Sequence, residues 1–188
     1  MRGSRENGAI VVVFREDSAI IKSVAEALFY QEIDSGLFMK AQGHITAAVS
    51  TDLREVILAR LNKAPVPPLL AVDLSACDYM DSTFMGLLVG FHKRYKQLTG
   101  RSLTILNPSE ECLKLLRGLG ILKLLSVVSA PAGEVPTVWT SLRRSQSPST
   151  EVLLNAHQNL SELSPENERK FSALQNVLEQ QLQKNEPE

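Results

Sequence analysis

The chain has 188 residues, 44% of them hydrophobic, and a net charge of −1, which suits one core-bearing domain with an appendage. No Lys/Arg-rich block marks a nucleic-acid surface, and no apolar run approaches the ~20 residues of a membrane span. Two cysteines, Cys77 and Cys112, give neither a disulfide framework nor a metal-ligand spacing, so a cytoplasmic protein without metal or cofactor is the expectation.

Residues 1–8, "MRGSRENG", read as disordered or tag-like, with no apolar h-region of signal-peptide type behind them. "AIVVVF", Ala9 to Phe14, is a β-branched run and predicts a strand. Ile21, Val24, Ala25 and Leu28 recur at helical spacing and predict a helix over 18–33, ended by Gly36. Leu37 to Gln42 reads as a second strand. "TDLREVILARLNK" is an amphipathic helix with Leu53, Val56, Ile57 and Leu61 on one face. Asp52 and Glu55 stand at capping-box spacing there, and Pro65, Pro67 and Pro68 stop it. Leu69 to Leu74 is a nearly continuous apolar strand of the type buried on both faces.

A longer helix is predicted from Thr83 to Leu98. Phe84, Leu87, Leu88, Phe91, Tyr95 and Leu98 mark its buried face, His92, Lys93, Arg94, Lys96 and Gln97 its solvated one, and Gly100 its C-cap. Gly86 and Gly90, four apart on one stripe, each cost roughly 1 kcal/mol of helix stability, which points to close packing against the sheet or a neighbouring helix. "SLTIL" is the next strand. Asn107, Pro108 and Glu110 then stand at cap, first-turn and capping-box positions of a helix that buries Cys112, Leu115, Leu116 and Leu119. Leu124 to Val128 is a last strand.

Strands and helices thus alternate, which predicts an α/β layered fold over 9–130. Residues 131–150 are rich in Pro, Ser and Thr and read as a linker. In the tail, 151–188, Leu153, Ala156, His157 and Leu160 stripe one helix. Ser164-Pro165-Glu166 opens a second, striped by Phe171, Leu174, Leu178 and Leu182. The candidate partners for this hairpin are the domain itself, a second copy giving a homodimer through the C-terminal helices, or another protein.

The chemistry concentrates in "DLSACDYMDSTFMGLL", Asp73 to Leu88. Ser82 stands where a strand becomes a helix. Its hydroxyl reads as a helix cap, a nucleophile or a phosphate acceptor, and Asp81 and Thr83 are equally good cap residues. The Gly-x-Ser-x-Gly elbow of an α/β hydrolase is missing. So is any P-loop or dinucleotide fingerprint. The histidines, His44, His92 and His157, form no evident acid–base set with Ser82. No enzyme activity is expected.

"LLAVDLSACDYMDST", "GLLVGFHKRYKQLTGRSLTIL" and "LKLLRGLGILKLL" together resemble the STAS domain of bacterial anti-sigma factor antagonists, with the core of the match over 36–128. The resemblance implies a mixed β-sheet with helices packed on it, here followed by the C-terminal helical hairpin. It implies that Ser82 is the phosphoacceptor, with Thr83 as the alternative, and that Asp78, Asp81, Thr83, Phe84 and Met85 form the partner-binding surface. The implied partners are an anti-sigma factor that is also a serine kinase of the histidine-kinase-like ATPase superfamily, and a PP2C-type phosphatase that resets the switch. Some proteins with such domains are instead non-catalytic subunits of lipid-transport ATPase complexes or of stress-sensing assemblies. The sequence departs from the family pattern at Phe84, where a glycine is usual, and at Gly43-His44-Ile45-Thr46, where Gly-Glu-Leu-Asp is favoured.

Overall fold

The computed structural model describes residues 11–13, 26–129, 135–142 and 148–185. Its strands are β1 (Val11–Val13), β2 (Ala27–Ile33), β3 (Gly36–Ile45), β4 (Leu70–Met80), β5 (Thr104–Leu106), β6 (Ser126–Val128) and β7 (Val138–Ser141). Its helices are α1 (Ser50–Leu61), α2 (Ser82–Thr99), α3 (Glu110–Gly118), α4 (Thr150–Ser161) and α5 (Pro165–Asn185). The strands form one mixed sheet in the order β1-β7-β2-β3-β4-β5-β6. β3, β4, β5 and β6 run parallel, joined by crossovers through α1, α2 and α3. β2, β7 and β1 complete the sheet by antiparallel pairing.

Strand alternation sends Leu28, Leu37, Met39, Leu70 and Val72 to the face covered by helices, and all five helices add side chains to that core. Phe29, Phe38, Ala71, Leu106 and Trp139 form a smaller cluster on the opposite face.

Several elements differ from the sequence expectation. The part of the predicted helix 18–33 that can be compared, Ala27–Ile33, is a strand paired with β3 through the turn at Asp34-Ser35, while 18–25 lie outside the described residues. Burial on both faces gives this strand a contiguous apolar run, which periodicity alone does not separate from a helix. β4 runs six residues beyond Leu74, to Met80, because Gln42 to Ile45 of β3 keep pairing with it across two register shifts. The segment of linker-like composition contains β7, whose Trp139 is buried. The capping box at Asp52 and Glu55 is not used: α1 follows a 3-10 turn at Ala47–Val49 and has no side-chain cap. α3 is capped by Ser109, whose Oγ accepts from the Cys112 N–H at 3.2 Å, two residues after the expected Asn107.

His92, expected in solvent, is only 3% exposed. α2 lies between the sheet and α4, so its buried arc is wider than one stripe. The His92 Nδ1 accepts from the Leu103 N–H at 3.4 Å. Burial, and secondarily Lys96, holds the imidazole below its ordinary value. The unfolded chain then binds a proton that the fold refuses, so stability falls as pH drops through the unfolded value toward the depressed one. Urea unfolding between about pH 7 and pH 5 should show a smaller loss of stability for His92→Gln than for the unmodified chain. Equal losses would contradict this account.

Candidate functional site

The extension of β4 carries the chain directly to Asp81. Its N–H donates to the Ile45 carbonyl at 2.9 Å. Its carboxylate accepts from the Ala47 N–H at 2.7 Å and from the Phe84 N–H at 2.9 Å. Asp81 is therefore the N-cap of α2 and also ties that helix to the end of β3. Nearby, Glu26 brings a carboxylate to the strand end where the family's acid is absent, accepting from the Thr46 N–H at 2.8 Å.

With the cap supplied by Asp81, the Ser82 hydroxyl is used elsewhere. Ser82 is the first residue of α2, and its Oγ lies 3.0 Å from Nε2 of His157 on α4. The other ring nitrogen, Nδ1, lies 2.7 Å from the Leu153 carbonyl. A carbonyl only accepts, so Nδ1 donates to it; in the neutral ring Nε2 is then bare and accepts from the Ser82 O–H. His157 is 3% exposed, and its ring packs tilted against Phe171 of α5, 5.2 Å between centroids.

Ser82 is half-buried and opens on a cleft of about 390 Å³ lined also by Met85, Lys114, Leu115, Lys170 and Phe171. Asp78 is exposed and Asp81 half-buried. Phe84 is 0% exposed, and Thr83 and Met85 are buried. In this conformation Asp78 and Asp81 are the members of the expected partner surface that are not buried, beside the half-buried Ser82. The Phe84 ring, where a glycine is usual, is a core side chain rather than a neighbour of the Ser82 hydroxyl at the surface.

The hairpin reaches Ser82 because α4 lies almost backbone-to-backbone on α2. A Cβ built on Gly86 would fall 2.2 Å from the Ala156 carbonyl oxygen, and one on Gly90 would fall 2.7 Å from the Asn159 amide nitrogen. Polar ties flank this contact. Lys93 donates to Asn159 at 3.1 Å and to Glu162 at 2.5 Å. The buried Asn167 of α5 donates to the carbonyls of Leu119 and Leu160. The apolar stripe of α4 is thus matched by the domain itself. The sequence reading did not connect His157 with Ser82, 75 positions away. The available signal was a histidine inside an apolar helical stripe, beside Ala156, in a chain whose two helical glycines called for a close packing partner.

Among the described residues no group of three or more His, Cys, Asp or Glu is placed to hold a metal, and no helix is long and apolar enough to cross a membrane. The Ser82–His157 pair has a main-chain carbonyl where a catalytic triad has a carboxylate.

A model of the STAS domain family matches residues 25–133. No curated protein matches the sequence significantly. Among solved structures, the chain is similar to one described as the anti-sigma factor antagonist SpoIIAA in its unphosphorylated form. Sequence identity is 17% and the TM-score 0.44, over 54% of this chain and 88% of that one.

Gly86→Ala tests the close approach of α4. Helix propensity alone would favour alanine by about 1 kcal/mol, but the clash with the Ala156 carbonyl should outweigh it. The expected net loss in urea unfolding is about 1–3 kcal/mol. A stabilised variant would show that α4 does not sit there.

Proposed function

Because the chain belongs to the STAS domain family, we propose that it is an anti-sigma factor antagonist that works by phosphorylation-controlled partner switching. The observation that supports this best is Ser82 itself. It is a hydroxyl at the first residue of α2, freed from capping by Asp81 and open to a cleft. A helix N-terminus carries unpaired N–H groups and partial positive charge, so it tolerates a phosphoryl group.

In this reading the unmodified protein binds an anti-sigma factor that is also a serine kinase of the histidine-kinase-like ATPase superfamily, and so frees a sigma factor. The partner supplies ATP. The antagonist binds and is modified, and carries out no catalysis of its own. Phosphorylation adds a charge of about −1.5 to −2 at Ser82, beside Asp78 and Asp81, and the partner is released. A PP2C-type phosphatase restores the hydroxyl. The protein works in the cytoplasm and touches no nucleic acid directly.

Incubation with a kinase of this superfamily encoded beside the gene, plus ATP, should place one phosphate on Ser82, read by mass spectrometry. Ser82→Ala should abolish labelling and keep partner affinity, while Ser82→Asp should weaken binding by about tenfold or more. No labelling, or equal affinities for the two variants, would contradict the proposal. Co-purification with a transporter ATPase and no phosphate would favour a structural subunit instead.

A further inference from the structure

We propose that the cleft beside Ser82 is a phosphate-receiving site in cis, in which a phosphoryl group on Ser82 is held by the C-terminal hairpin and locks that hairpin over α2. This rests on the reading of Ser82 as the phosphoacceptor. Groups from four helices converge there. α2 offers its N-terminus, and α3 and α5 line the cleft with the exposed Lys114 and Lys170; behind the lining, α4 brings the buried His157 to within 3.0 Å of the Ser82 Oγ. The acidic group in the cleft wall, Asp81, already accepts two main-chain N–H donors. Asp78 lies outside the cleft lining, and Glu111 is paired with Lys114 at 2.7 Å. The volume of about 390 Å³ is many times the roughly 30 Å³ share of one water molecule, so a phosphoryl group fits with its solvent.

The bond changes give the coupling its sign. Transfer from ATP forms the Oγ–P bond, breaks the bond between the γ-phosphorus and its bridging oxygen, releases ADP and sends the hydroxyl proton to the kinase or solvent. Ser82 then has no proton to donate to Nε2. A bare Nε2 would face anionic oxygens. Uptake of one proton from solvent converts it to a donor, while Nδ1 keeps its bond to the Leu153 carbonyl. The imidazolium then faces the phosphate dianion, and the exposed Lys114 and Lys170 turn onto it from their present partners, Glu111 and the Phe171 ring, making charge-assisted contacts stronger than the neutral bond they replace.

The consequence is competition for one surface. In the unmodified chain the hairpin is held by packing, by the ties of Lys93 and Asn167 and, at Ser82 itself, by one neutral hydrogen bond, so at the Ser82 end an external protein has little to displace. In the modified chain the hairpin is clamped, and the Gly86–Gly90 face of α2 is closed to that protein.

Phosphoserine installed at position 82 of the full chain by codon suppression tests this directly, read by amide hydrogen exchange in α4 and α5. Exchange should slow by about tenfold relative to the unmodified chain. The slowing should vanish in the Lys114→Ala/Lys170→Ala double variant and shrink in about 0.5 M salt. His157→Gln with phosphoserine should also lose it. If His157→Gln undocks the hairpin on its own, the two exposed lysines decide the matter. Unchanged or faster exchange in α4 would overturn the clamp, since the phosphate would then leave the hairpin alone or expel it. No kinase is needed for this test. A failed kinase reaction removes the phosphoacceptor reading, whereas faster exchange removes the clamp and leaves that reading intact.

Discussion

The contact between the backbone of α4 and the glycine stripe of α2 is the constraint on which the site depends. A side chain at Gly86 would hold the two helices apart, and one at Gly90 would displace the Asn159 amide. Without them α4 comes close enough for His157 to reach the first residue of α2. The same approach makes α2 an interior helix and turns Lys93 from a solvated charge into a tie to Asn159 and Glu162. The glycines weaken α2 as a helix, and the packing they permit more than offsets that loss.

A second constraint lies at the junction of β4 and α2. Asp81 satisfies two main-chain donors from different parts of the chain and joins the ends of β3 and β4 to the start of the helix. This division of labour frees the next residue: if Ser82 were the cap, its oxygen would be occupied by the helix. Because Asp81 does that work, the Ser82 hydroxyl is available to a neighbour or to chemistry. In the structure the neighbour is His157 of the C-terminal hairpin.

Much of this was legible in the sequence. The alternation of β-branched runs with helical stripes marked the layered α/β class, and Asp81-Ser82 does stand at a strand-to-helix junction. Gly86 and Gly90 announced a close packing partner without naming it. What stayed hidden was long-range. Leu28 and Phe29 look like parts of a helical face because their strand is buried on both sides. Trp139 sits in a segment of linker composition, yet it finds a place on the far face of the sheet. Which of Asp81, Ser82 and Thr83 would cap α2 depended on where β3 ended, since the Ala47 N–H fixes the Asp81 carboxylate. The Ser82–His157 bond required knowing that the tail folds back on the domain.

The tail holds the Ser82 hydroxyl through His157. Nitrogen-15 NMR of the histidine rings in the unmodified full-length chain tests it most directly. The account predicts that neutral His157 is the Nδ1–H tautomer, and that its Nε2 signal shifts when Ser82 is replaced by alanine. An Nε2–H tautomer, indifferent to the Ser82→Ala change, would contradict it.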